Sequence, residues 1–316
     1  MDDAQLAVRT AVRNAISDQP IRVLVACSGG PDSIALLDAT LWVGARDGVE
    51  VSCAIVDHGL QADSAEVAAN VANVARGLGC LDVHVLAVEV VLGGDGVEAS
   101  ARTARRAALQ ACATRRAADA ILLGHTREDQ AETVLLRLAR GSGARSLAAM
   151  SAHDGIWRRP FLELPRRTVH AAAAGLPVWQ DPHNLDPAFT RSRVRTELLP
   201  VLIDVLGEGA ILGLTRSAAL LRHDADALDA IAREVAITPG EPIDVALLAE
   251  LPIAVRTRVI RRWVGQPVEF DHVTSIEHLI SAWHGQGPVR LPAGIDVGRV
   301  YDRLVITSNE GHTRGR

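Results

Sequence analysis

An apolar run of strand length, Ile21 to Cys27, ends in Ser28-Gly29-Gly30-Pro31-Asp32-Ser33, and an apolar helical pattern starts at Ile34. Proline suits the first turn of a helix, so the chain is committed here to a strand, a tight glycine turn and a helix. The two glycines let the backbone approach an anion closely, the helix N-terminus adds partial positive charge, and Ser28 and Ser33 add hydroxyl donors. Asp32 is out of place in a bare anion nest because a carboxylate repels phosphate. A divalent cation held by oxygens, including those of a nucleotide triphosphate, reconciles the two, so Mg²⁺ is expected with Asp32 as its ligand. The same residues also fit a solvated strand-to-helix turn with Asp32 as its cap.

The pattern repeats downstream. Val51 to Val56 reads as a second buried strand ending in Asp57-His58-Gly59-Leu60, Ala65 to Leu78 as a helix, Val83 to Val91 as a third strand and Ala99 to Ala118 as a basic helix. Ala120 to Leu123 is a fourth strand that runs into Gly124-His125. Strands alternating with helices predict a doubly wound α/β domain with a mainly parallel sheet, whose ligands gather beyond the carboxyl ends of the strands. The Ser28 to Asp32 loop, Asp57-His58 and His125 all fall at such ends. Beyond His125, Asp129 and Glu132 lie three apart on one face of the first turns of another helix. They can complement the helix dipole, or bind a cationic substrate or a metal.

Composition narrows the chemistry. The chain has no lysine, so all 33 basic residues are arginine, which excludes a Walker-type loop and Schiff-base catalysis. Cys27, Cys53, Cys80 and Cys112 form no C-x-x-C pair, arguing against zinc, redox-pair and iron–sulfur sites. No apolar run reaches the length of a membrane span, and Asp2 to Ser17 reads as a charged amphipathic helix rather than a signal peptide, so a cytoplasmic protein is expected. The net charge is −5, yet seven arginines face three acids between Arg158 and Arg195, a segment that fits either a solvated face or phosphate binding.

These residues carry a resemblance. The loop is similar to the SGGxDS signature of the PP-loop ATP pyrophosphatases. Further motifs resemble, in order, those of the tRNA(Ile)-lysidine synthetase family within that superfamily. Asp57-His58-Gly59-Leu60 is similar to DHGL, and Glu98 to Arg105 to E-x-x-A-R-x-x-R, with Arg106 where tyrosine is usual. Gly124 to Thr133 resembles GHHxDDQxET, with Thr126 and Glu128 replacing the common His and Asp. Arg140-Gly141-Ser142-Gly143 with Leu147 to Met150 is similar to RGSGxxGLxxM, though Ser146 replaces a glycine. Arg159-Pro160-Phe161-Leu162 resembles RPLL, Trp179 to Asn184 the W-x-x-D-x-x-N segment, and Arg191-Ser192-Arg193-Val194-Arg195 the R-N-R-x-R run before Leu198-Leu199-Pro200.

The resemblance implies a PP-loop fold and ATP-dependent ligation of free L-lysine to C2 of the wobble cytidine of tRNA(Ile) with a CAU anticodon, through an adenylated cytidine, with AMP and pyrophosphate released. It implies that Ser28, Gly29, Gly30, Pro31, Asp32 and Ser33 hold the ATP phosphates, with Asp57, His58 and His125 also at the nucleotide. Arg105 would neutralise the α-phosphate. Asp129 and Glu132 would recognise the lysine ammonium group, one of them accepting its proton, although a structural histidine is an equal reading for His125. Arg191, Arg193 and Arg195, alternating along an extended segment, would share one face and meet phosphates of AMP or tRNA. Residues 1–208 are expected to form the catalytic domain and 209–316 a smaller α+β domain that holds tRNA. In this second domain a helix is expected from Gly209 to Asp229, another from Val245 to Trp263 with Arg256, Arg258, Arg261 and Arg262 as a basic face, and a hairpin at the end. Three alternatives stand beside this: a tRNA thiolase, disfavoured by the scattered cysteines; a ligase that amidates a small metabolite; and a catalytically silent nucleotide- or tRNA-binding protein.

Overall fold

The computed structural model describes residues 2–18, 21–59, 63–89, 97–141, 143–179 and 188–308. Leu60, Ser142, the end of the 83–91 run and the Gln180 to Asn184 part of the tryptophan motif lie outside the described residues. The chain divides into two compact units, Met1–Leu220 and Leu221–Arg316.

In the first unit, α1 (Asp3–Ala15) precedes the sheet strands β1 (Arg22–Ala26), β2 (Glu50–Asp57), β3 (Asp82–Ala87), β4 (Ala120–Leu122), β5 (His153–Asp154) and β6 (Trp157–Arg158). The spatial order is β3-β2-β1-β4-β6-β5, parallel except for the β5–β6 pair. The crossovers are α2 (Pro31–Asp47), α3 (Ser64–Gly77) and α4 (Val97–Arg115), and β4 leads into α5 (Arg127–Leu138) and α6 (Ala144–Leu147). β1 is apolar without alternation because both faces are covered: Val23 and Val25 enter one core, Leu24 and Ala26 the other. The expected doubly wound α/β architecture is therefore present. After β6 come α7 (Arg166–Ala172), α8 (Thr190–Arg193), a π-helical turn at Val194–Leu198, α9 (Leu199–Leu206) and the long α10 (Gly209–Glu234).

The division between the units falls inside α10 rather than at its start. Ile211 and Leu214 pack with α5 and α9, whereas Leu228 and Ala232 belong to the second unit's core. The second unit continues with β7 (Ile243–Asp244), α11 (Val245–Ala249), α12 (Ile253–Val264), α13 (Phe270–Ser281), β8 (Val289–Leu291), β9 (Ile295–Val300) and β10 (Arg303–Ser308). The single helix expected over 245–263 is two, because Pro252 cannot continue a helix and instead caps α12. The expected terminal hairpin is β9–β10, and it belongs to a sheet of order β7-β10-β9-β8, antiparallel throughout. The core here is built on Trp263, Leu248, Ile260 and Ile276. No single helix among the described residues is long and apolar enough to cross a membrane.

Candidate active site

The turn after β1 is shaped by close approaches. Gly29 takes φ +86°, and a Cβ there would lie 2.5 Å from Val71 Cγ2 of α3. Gly124, at the end of β4, lies against the first turn of α2, where a Cβ would come within 2.9 Å of the Asp32 carbonyl oxygen. Gly30 is different: a Cβ would meet nothing closer than 3.8 Å, an ordinary contact, so no neighbour forbids a methyl group there. Ser33 is buried and braces the loop. Its hydroxyl donates to the Gly30 carbonyl at 2.9 Å and accepts from the Ser28 backbone N–H at 3.1 Å. The hydroxyl of Ser28, by contrast, stands on an exposed residue. The Trp179 N–H donates to the Gly29 carbonyl at 2.9 Å, tying the segment after α7 to the turn.

Asp32 stands in the first turn of α2 with Oδ1 buried and without a hydrogen bond. His170 Nε2 of α7 is 3.2 Å from that oxygen, within ion-pair range but not aligned as a donor. An orphaned carboxylate oxygen beside a glycine turn is the hard oxygen ligand that Mg²⁺ takes alongside phosphates. Among the described residues no group of three or more His, Cys, Asp or Glu forms a self-sufficient metal centre, so a cation here would be completed by nucleotide oxygens.

Around this loop stand the other strand-end residues. Asp57 closes the end of β2, its Oδ1 accepting the Gly59 N–H at 3.0 Å. Burial pushes the His58 imidazolium down, Arg105 adds to that, and Asp57 opposes it. His125 is pushed down to about 3 chiefly by burial, opposed by Asp129 and reinforced by Arg105, Arg191 and Arg159, so it is a neutral imidazole. The Nδ1 atoms of both histidines are buried without partners. Arg105 of α4 is itself destabilised as a cation by burial and by Arg102 and Arg191. Among the described residues it has no carboxylate partner, which leaves its charge for a bound anion.

Asp129 and Glu132 occupy the first turns of α5 and are buried, Glu132 completely. They do not present free oxygens. Asp129 Oδ2 accepts from the Thr126 N–H and Oγ1, both at 2.8 Å, which caps the helix. Asp129 Oδ1 accepts from Arg166 at 3.2 Å, Arg191 at 3.1 Å and Arg195 at 2.8 Å. Glu132 Oε1 takes Arg166 at 3.1 Å and Arg195 at 2.8 Å, while Oε2 takes Arg191 at 2.9 Å and Arg195 at 3.1 Å. Burial raises the Asp129 carboxyl, but Arg166, Arg191, His125 and the Thr126 N–H together hold it well below the usual carboxylate range. Asp129 so held is a poor proton acceptor, and the pair expected to meet the lysine ammonium group is clamped here by three guanidinium groups.

The arginine run is corrected. It is helical, not extended, so Arg191 and Arg195 are one turn apart and face Asp129 and Glu132 together. Arg193 points elsewhere and pairs with Glu197 at the surface. Val194 and Leu199 pack with Ala131 of α5, which fixes this register. Sequence reasoning missed Arg166 and His170, one turn apart on α7. The Glu128 carboxylate accepts the Arg166 backbone N–H at 2.7 Å and so seats α7 on the N-terminus of α5. The spacing of Arg166 and His170 was the available signal, but in a stretch of alanines it does not mark out a site. In the second unit the expected basic face is also corrected. Arg256 pairs with Glu277 at 2.7 Å, Arg258 with Asp229 at 2.7 Å, and Arg261 and Arg262 donate to the carbonyls of Val268 and Ala232.

The site therefore gathers, at the carboxyl ends of the parallel strands, a glycine turn, an unsatisfied aspartate oxygen and a cluster of arginines. The chain matches the PP-loop domain family over residues 4–202 and the TilS substrate binding domain family over 243–305. It is 53% identical to the tRNA(Ile)-lysidine synthase of Thermobifida fusca across 95% of this chain and 96% of that protein. It is 48% identical to the enzyme of that name from Streptomyces coelicolor, over 90% and 84% of the two chains, and 46% to that of Mycobacterium tuberculosis, over 91% and 88%. Among solved structures, the U34-tRNA thiolase NcsA from Methanococcus maripaludis, determined with its 4Fe-4S cluster, superposes with a TM-score of 0.56. At 16% identity, over 70% of this chain and 79% of that one, this likeness shows the shared fold. Matched along nearly its whole length by relatives of one name, the chain belongs to the tRNA(Ile)-lysidine synthase family of PP-loop proteins.

Proposed function

We propose that this chain ligates free L-lysine to C2 of the wobble cytidine of tRNA(Ile) bearing a CAU anticodon, consuming ATP. The cytosine O2 attacks the α-phosphorus of ATP and pyrophosphate leaves. The lysine ε-ammonium group gives up a proton to solvent, its free amine attacks C2, and the C2–O bond breaks with departure of AMP. The observation that carries the reading is the Ser28–Ser33 turn with its orphaned Asp32 oxygen beside His170, in a chain of this family.

Neither step needs a covalent enzyme intermediate, so positioning and charge stabilisation carry the catalysis. The open backbone of Gly30 and the exposed Ser28 would receive the phosphates, with Ser33 and Gly29 holding the turn in shape. Asp32 would hold Mg²⁺, which neutralises charge on the pyrophosphate leaving group. Arg105, lacking a carboxylate partner among the described residues, would face the charge that develops at the α-phosphate. His58 and His125, neutral because burial disfavours their cations, would donate or accept single hydrogen bonds rather than carry charge. Asp129 and Glu132 would act on the amine electrostatically, since the depressed Asp129 is too weak a base to take its proton. The second unit, residues 221–316, would hold the tRNA.

The test is incubation of the purified chain with ATP, labelled lysine and a CAU-anticodon tRNA(Ile) transcript. Label enters the transcript with AMP and pyrophosphate formed in equal amount, and Asp32→Ala abolishes it. Label entering elongator methionine tRNA equally well, or surviving Asp32→Ala, overturns the reading.

A further inference from the structure

All four oxygens of Asp129 and Glu132 are occupied, seven contacts from three arginines and two from Thr126 saturating them. A cationic amine cannot reach either acid without displacing a guanidinium group. The acids are buried but the clamp is not: the Arg166, Arg191 and Arg195 side chains keep 17%, 24% and 29% exposure, so the cations can turn to another anion while the acids stay in place. The clamp is electrostatically coupled to the nucleotide loop. Asp32 acts electrostatically on Arg195, and Arg191 acts on both Arg105 and His125. α7 joins the two regions mechanically, because His170 stands on Asp32 while Arg166, one turn earlier, stands on Asp129 and Glu132.

We infer that Arg166, Arg191 and Arg195 form a nucleotide-operated gate on the amine subsite. Resting on the ligase reading above, this assigns the clamp a role in ordering the substrates. Phosphate arriving at the glycine turn offers the arginines a better-matched anion, at least one of them turns away from the acids, and the lysine ammonium takes the vacated place. Charge is conserved in the exchange, one cation for another, so the buried acids are never left bare. Without nucleotide the arginines themselves occupy the subsite, and the amine is excluded. Because the two sites share the arginines, coupling must be reciprocal: lysine tightens nucleotide binding by the factor by which nucleotide tightens lysine binding.

The experiment measures binding of labelled L-lysine to the full chain by equilibrium dialysis, alone, with Mg²⁺, and with Mg²⁺ and α,β-methylene-ATP. The expected result is lysine affinity about tenfold or more higher with the analogue, with an equal gain for the analogue when lysine is present. Arg166→Gln, with one clamp cation removed, is expected to bind lysine without nucleotide better than the unaltered chain does. Equal lysine affinity with and without the analogue overturns the gate, as does an Arg166→Gln protein whose nucleotide-free lysine binding is unchanged. Incorporation of lysine into the CAU transcript by the same preparation separates the two proposals. Incorporation with uncoupled binding overturns the gate alone. Absence of both incorporation and lysine binding overturns the ligase reading, and the gate with it.

Discussion

The two glycines of the turn look equivalent in sequence but do different jobs. Gly29→Ala places a methyl group 2.5 Å from Val71 Cγ2 at φ +86°, whereas Gly30→Ala meets only ordinary contacts. A left-handed backbone costs a non-glycine residue about 1–2 kcal/mol before any clash is added. Urea unfolding is therefore expected to show Gly29→Ala losing about 2–4 kcal/mol of stability with the overpacking included, and Gly30→Ala nearly none. Gly30→Ala should instead raise the ATP KM, because its methyl group occupies the space left for phosphate. His125 makes a second prediction. Its folded value of about 3 lies below that of an unfolded histidine, so the unfolded state binds the extra proton between roughly pH 6.5 and 3. Its contribution is complete above pH 6.5 and is lost as pH falls, by at most about 1.4 kcal/mol per pH unit. His125→Gln is expected to flatten the stability profile measured between about pH 6.5 and 4.5, a range above that in which the depressed Asp129 carboxyl takes up its proton.

At the level of elements, the sheet was legible and the arginine run was not. β1, β2 and β4 are short apolar runs covered on both faces, which makes both the strands and their ligand-bearing ends readable from residue type alone. Arg191, Arg193 and Arg195 carry no such signal, since alternate residues share a face in a strand and part company in a helix. What settles the matter is packing of Val194 and Leu199 against Ala131, a contact distant in sequence. Asp129 and Glu132 were readable as a pair on one helix face, but their partners come from three separate helical turns, and Arg166 gave no sign of its part. The helical register has a measurable consequence. Arg193→Ala removes only a surface pair with Glu197 and should leave lysine incorporation and Tm unchanged. Arg195→Ala strips contacts from both buried acids and should lower kcat/KM by at least about tenfold. Equal losses in the two variants would restore the extended segment that alternation suggests.

At the scale of the whole chain, the net charge of −5 conceals a segregation of roles among the arginines. Arg166, Arg191 and Arg195 of the first unit gather around Asp129 and Glu132, whereas Arg256, Arg258 and Arg262 of α12 are consumed in holding the second unit together. That division sets where the second unit begins. Leu228 and Ala232 of α10 complete its core, Asp229 pairs with Arg258, and Arg262 donates to the Ala232 carbonyl. A fragment that begins at Ile243 keeps every strand of the antiparallel sheet but leaves the Arg258 and Arg262 guanidinium groups without these partners and the face of Trp263 short of apolar cover. The truncation leaves those guanidinium groups in water, so the loss is chiefly apolar: uncovering core side chains, at about 1.5–3 kcal/mol each, consumes much of the 5–15 kcal/mol that holds a small domain folded. Residues 221–316 expressed alone should therefore unfold in one cooperative urea transition, and residues 243–316 should show none or a midpoint far lower. Equal midpoints would mean that the second half of α10 merely lies on this unit. A cooperative transition confined to the longer fragment would place the second half of α10 within the second unit, and that fragment is the one in which the tRNA affinity proposed for this unit should then be sought.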